Sequence, residues 1–159
     1  MSAPRLHLEL QRRVRAWAPR RADLARWASA ALGRRAAGAE LGVRVVGRAE
    51  SARLNARYRG RDRPTNVLSF PSPALPTQAR AAAQQLGDLV ICGAVLRGEA
   101  RAQAKTLRAH WAHLVVHGTL HLIGYDHERA ADARRMERRE IAVLRRLGFA
   151  NPYRSTGVP

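Results

Sequence analysis

Cysteine is nearly absent from the chain. Cys92 stands alone, so no internal disulfide can form, and a reducing compartment, the cytoplasm, is the expected setting. Lysine is equally scarce, Lys105 being the exception among 29 basic residues. Acidic residues number only 12, which leaves a net charge of +17. Aromatic residues are 5% of the 159, too few for a broad stacking surface. No apolar run reaches the roughly eighteen residues that a membrane-spanning helix needs. MSAPRLHLELQRRVR lacks the apolar centre of a secretory signal, so no export is expected.

What remains is an arginine-rich chain of single-domain length with 46% apolar residues, enough for a real core. Exchange of lysine for arginine, as a G+C-rich genome would favour, leaves charge unchanged, so the excess needs another cause. Residues 1–63 hold 16 Arg against 5 acids, or +11, and the remainder holds +6. A polyanion is the expected partner, nucleic acid ahead of an anionic membrane surface.

Periodicity divides the chain into alternating elements. Leu6–Leu10, Leu41–Val46, Asn66–Phe70 and the start of Gly87–Leu96 read as strands. Asp23–Arg35, Glu50–Tyr58, Glu99–Ile123 and Ala130–Leu147 read as helices, and Ala79–Leu86 as a short helical turn after the prolines 71, 73 and 76. The expected fold is one α/β or α+β domain over residues 1–152, with a small, mostly four-stranded sheet and about five helical segments. Residues 153–159 are expected to be a flexible C-terminal tail.

Histidines carry the chemistry. His110, His113, His117 and His121 fall in one expected helix and project within a sector of about 80° at about 100° per residue. Direction alone therefore selects none of them. His113 and His121 would stand about 12 Å apart along a straight helix, too far for bonds of about 2 Å to one ion. A pair at i and i+4, His117 with His121, can share an ion. Gly124 can end the helix with positive φ and bring His127 back as third ligand. The written pattern, H-x-x-x-H-x-x-G-x-x-H, has the spacing of the metzincin zinc proteases. Gly118 stands where those enzymes place their general-base Glu, so a peptidase of that mechanism would lack its base. Three histidines on zinc leave a position for water or substrate, which suits a catalytic site.

HGTLHLIGYDH, together with LNARYRG, PTNVLSFP, LGDLVIC, MERRE and the closing LGF and NPY, resembles the signature blocks of the YbeY family of bacterial rRNA maturation endoribonucleases. The matching blocks run from about residue 50 to 153. The resemblance implies a small mixed sheet flanked by helices, with one Zn2+ per chain on His117, His121 and His127. It implies a metal-dependent, single-strand-specific endoribonuclease acting at the 3′ end of 16S rRNA and in ribosome quality control. It also implies RNA rather than DNA, the small ribosomal subunit and its assembly factors as partners, and matches the family's functional arginine to Arg59.

The chemistry is coherent with that expectation. Zinc lowers the pKa of a bound water to around 7 and polarises phosphoryl oxygens. A guanidinium fork suits the charge that builds on non-bridging oxygens, making Arg59 the candidate for phosphate positioning, beside His117 and His121 in the catalytic set. The base stays open, as does the choice between hydroxide and the RNA 2′-hydroxyl as nucleophile. Asp126 either orients a ligand histidine or stabilises the turn. Thr65, Asn66 and Ser69 either line the cleft or shape the entry to the third strand, and Asp88 is similarly open. His110 and His113 are expected as polar lining near the cleft. An rRNA-binding assembly factor with a mainly structural zinc is the alternative, and a metalloprotease stands behind both.

Overall fold

The computed structural model describes residues 5–73 and 84–154. Alternation of apolar and polar side chains builds the sheet. In β2 (Ala39–Val46) residues 39, 41, 43 and 45 are buried on one face, and β-branched Val43 and Val45 suit the pleat. β1 (His7–Arg12) and β4 (Gln84–Cys92) lie parallel to β2 on either side, and β3 (Val67–Pro71) runs antiparallel along the outer edge of β4. Among the described residues this is one mixed sheet in the order β1-β2-β4-β3.

Five helices accompany it among the described residues: α1 (Arg21–Leu32), α2 (Arg48–Arg59), α3 (Gly93–Ala102), α4 (Leu107–Leu122) and α5 (Ala130–Arg146). One face of the sheet, bearing Leu8, Leu41, Val43, Leu89 and Ile91, is buried against Trp27 of α1, Trp111, Val115 and Leu120 of α4, and Met136 and Leu144 of α5. Each such aliphatic burial contributes about 1.5–3 kcal/mol. The other face is covered mainly by α2, through a smaller cluster of Val46, Leu68, Val90 and Cys92 with Leu54 and Phe70 packed on it. The architecture is α+β, as the strand and helix patterns suggested. No helix among the described residues is long and apolar enough to cross a membrane.

Three expectations require correction. The helix expected from about Glu99 already begins at Gly93, directly after the fourth strand ends at Cys92. The single long helix over 99–123 is two, broken at Gln103–Thr106 where Ala104 takes φ +54. Thr106 restarts it by accepting a hydrogen bond from Ala109 N at 3.1 Å, a capping signal that the surrounding helix-forming residues masked. Of the turn expected over 79–86, residues 84–86 belong to β4 and 79–83 lie outside the described residues.

Candidate metal centre

All four histidines at 110, 113, 117 and 121 ride on α4, whose C-terminal half packs against β3 and β4. The close approach depends on Gly118. A Cβ there would stand 2.8 Å from Leu89 Cδ2 and 3.3 Å from Cδ1. Any side chain there must displace the buried Leu89, a glutamate most of all. The position that would hold a protease's general base is thus a contact between helix and sheet.

The helix ends as its glycine requires. Gly124 has φ +104, its N–H bonds to His121 O, and Tyr125 N bonds to Leu120 O. Asp126 then accepts from His127 N at 2.6 Å and Glu128 N at 3.2 Å, so it stabilises the turn. This return brings His127 over His121, with ring centroids 4.8 Å apart, while His117 and His121 are 4.7 Å apart. One ligand atom from each of His117, His121 and His127 lies within 4.8 Å of the others.

These residues fit one divalent ion. His121 Nε2 and His127 Nδ1 approach to 3.0 Å. Two neutral imidazoles cannot both direct lone pairs across that gap unless a proton or a cation lies between them. Tetrahedral zinc at about 2.05 Å from each nitrogen separates its ligands by about 3.3 Å, inside the observed spread. His121 is held below its usual pKa by burial and then by the neighbouring His117 and His127, against a backbone hydrogen bond at Tyr125 and the Asp126 charge. It is a lone-pair donor at neutral pH. Imidazole sets of this kind suit zinc and its late first-row neighbours rather than magnesium or calcium.

Behind the cluster lies a carboxylate that spacing did not single out. Glu140 of α5 is fully buried, and its Oε1 hydrogen-bonds His117 Nδ1. Its Oε2 accepts from the Tyr153 hydroxyl, and His113 Nε2 lies 3.7 Å away. Burial pushes this carboxyl up, but the His113 and His117 rings and the Tyr153 hydroxyl more than offset it, holding it at about 2. An ionised carboxylate only accepts, so His117 must donate from Nδ1 and keep the Nε2 lone pair for an ion. His113, His117 and Glu140 also come within 4.8 Å of one another. That second group shares His117, whose Nδ1 is already committed to Glu140, and so braces the first.

The remaining candidates sort by position. His110 is 3% exposed and bonded to Glu99 Oε1 at 3.0 Å, so it is a core histidine rather than cleft lining. Asn66 donates to the same carboxylate, Ser51 accepts from Thr65 N at 2.9 Å, and both contacts shape the entry to β3. Ser69 sits on the helix side of β3, its hydroxyl 3.4 Å from Gly118 O. Arg59, the last residue of α2, donates to Ser69 O at 3.1 Å and lies 5.7 Å from the Phe70 ring centre. Its guanidinium is exposed on the outer edge of β3, where it donates to the backbone oxygens of Tyr58 and Ser69. Asp88 lines a cleft of about 340 Å³ beside Tyr58 and Phe70, on the sheet face opposite Leu89 and α4. That cleft is not the histidine site.

The class defined by these observations is an α+β domain with a three-histidine centre at the C-terminal end of a helix packed under an edge strand, two ligands on the helix and one in the turn beyond it. The family model of Endoribonuclease YbeY matches residues 11–148, and the chain belongs to that family. It is 55% identical over 156 residues to the endoribonuclease YbeY of Alkalilimnicola ehrlichii, covering 96% of this chain and 93% of the relative. It is 51% identical to that of Methylococcus capsulatus, covering 94% of this chain and 96% of the relative. The solution structure of TM1509 from Thermotoga maritima matches with a TM-score of 0.55 at 22% identity, over 90% and 91% of the two chains, and bears on the fold alone.

Proposed function

We propose that this protein is a metal-dependent, single-strand-specific endoribonuclease holding one Zn2+ on His117, His121 and His127. Its family membership supports the reaction class, and the observation that carries the metal is the meeting of three histidine nitrogens within 4.8 Å. Such an ion supplies Lewis-acid polarisation of a phosphoryl oxygen and acidification of water near neutral pH.

The chain's own residues do the rest. Arg59, fixed to the edge of β3 through Ser69 O, holds the phosphate and balances charge building on its non-bridging oxygens. His117 and His121 set the ion's position from α4, and His127 closes the site from the turn beyond it. The +17 charge retains the RNA backbone by counterion release. The substrate is ribosomal RNA, at the 3′ end of 16S rRNA. Ribosome quality control, a cytoplasmic location and contact with the small subunit and its assembly factors complete this reading.

The test is metal analysis joined to single-turnover cleavage of unstructured RNA by the intact protein, His121→Ala and Arg59→Ala. About one zinc per chain, lost with cleavage in His121→Ala, is expected. Arg59→Ala should keep its metal and lose cleavage. Cleavage that persists in metal-free His121→Ala protein overturns the reading. Arg59→Ala protein that keeps its metal, its fold and any weak nuclease signal while ribosome maturation is impaired favours the alternative, an rRNA-binding assembly factor with a mainly structural zinc.

A further inference from the structure

The segment beyond α5 reaches back to the histidine cluster through a chain of anchored contacts. Phe149 N bonds to Leu144 O at 2.8 Å, and the Phe149 ring meets Trp27 edge to face at 5.8 Å. Asn151 turns the chain by accepting from Tyr153 N at 2.8 Å. Lys105, the one lysine among the basic residues, donates to Pro152 O at 2.7 Å. These contacts deliver the Tyr153 hydroxyl to Glu140 Oε2 although 45% of the residue remains exposed.

We propose that Tyr153 is a positioning residue of the metal centre, holding Glu140 so that Glu140 in turn holds the His117 ring with Nε2 turned to the ion. The geometry supports each bond. Glu140 is fully buried and has a partner at each oxygen, His117 Nδ1 at Oε1 and the Tyr153 hydroxyl at Oε2. Burial and the Glu140 charge push the Tyr153 phenol up, so its hydroxyl stays protonated and donates. His113 Nε2 lies 3.3 Å from that hydroxyl oxygen and can donate to it, which orders the phenol from behind. His117 Nδ1 fills the other carboxylate oxygen. Without the tyrosine hydroxyl, Glu140 Oε2 would keep only His113, at 3.7 Å, and the carboxylate would be free to rotate towards it and away from His117. Groups that orient a ligand histidine in this way are worth about 10- to 100-fold in metal affinity.

This inference rests on His117, His121 and His127 holding an ion, and the experiment separates the two. Zinc affinity is measured by chelator competition on the full chain, and the ligand field by the visible spectrum of the Co2+ form. The proteins compared are wild type, Tyr153→Phe and Phe149→Leu. Tyr153→Phe removes one oxygen and should weaken zinc about tenfold or more and alter the Co2+ spectrum. Phe149→Leu loosens the same segment's packing and should lower the melting temperature with a smaller loss of affinity. Wild-type affinity and spectrum in Tyr153→Phe overturn the role of Tyr153 alone. Failure of the wild type to bind zinc or Co2+ overturns the metal reading, and this inference with it. Equal losses in Tyr153→Phe and Phe149→Leu, each tracking stability, show a structural tail and also overturn it.

Discussion

Gly118→Ala tests whether the contact between helix and sheet is as tight as the geometry makes it. Alanine in place of a helical glycine normally gains about 0.8–1 kcal/mol. Here the added methyl would stand 2.8 Å from Leu89 Cδ2 and 3.4 Å from Ser69 Oγ. Leu89 is 0% exposed, so its side chain can yield only by displacing other core atoms. Overpacking of that kind costs about 1–3 kcal/mol, leaving a net loss of about 1 kcal/mol. Gly98 provides the internal comparison, because it is also helical and a Cβ there meets nothing within 4 Å. Gly98→Ala should gain the helix term in full. Urea unfolding of the metal-free proteins with matched slopes should therefore separate the two variants by about 2 kcal/mol. A chain of this length would also lose roughly 2–4 °C in melting temperature in Gly118→Ala. Equal stabilisation by the two substitutions would refute the reasoning, because it would mean that α4 can move off β4 at no cost. Gly118→Glu, which restores the protease spelling, should fail to fold rather than gain a peptidase.

Removing the metal from wild-type protein with a chelator should abolish RNA cleavage and lower the melting temperature, and zinc should restore both. Asp23 is held below the usual carboxylate value first by its hydrogen bond from Arg108, which forks onto it at 3.1 and 3.3 Å, against the cost of burial. Its contribution to stability is present above its unfolded value of about 3.9 and is lost as pH falls through the lower folded value. The gap in stability between wild type and Asp23→Asn should therefore be constant at neutral pH and close below about pH 4 in acid titrations of unfolding. Binding of non-cleaved RNA should weaken steeply with salt, and Arg59→Ala should lower the log–log slope by about 0.7 on single strands. An unchanged slope would place Arg59 away from phosphate.

Much of the fold was legible because its signals are local. Leu41–Val46 alternates, and in the structure β2 spans Ala39–Val46 with the odd-numbered residues buried. The helix break at Gln103–Thr106 was not, since Gln, Ala and Lys there are all good helix formers and Thr106 alone marks the restart. The break also matters for the site. It lets α4 take an angle of its own, so that the turn bearing Gly118 lies on Leu89 while α3 carries Leu96 into the core.

The metal site divides along the same line. His117 and His121 are four residues apart, Gly124 supplies a positive φ, and His127 follows, so the whole first layer is written within eleven residues. Its support is not. Glu140 reads in sequence as one more residue in an amphipathic helix of MERRE, and helical spacing places it on the buried face beside Met136 and Leu144. A glutamate on an apolar stripe is the signal that could have found it, because burying a carboxylate without donors costs several kcal/mol. Those donors come from His117, 23 residues earlier, and Tyr153, 13 residues later. Neither separation matches a local period, so only the packing of α5 against α4 and the return of the C-terminal segment could bring them together. The carboxylate is affordable in the core because it is met from both sides, and the same two bonds that satisfy it fix the ring of a ligand histidine.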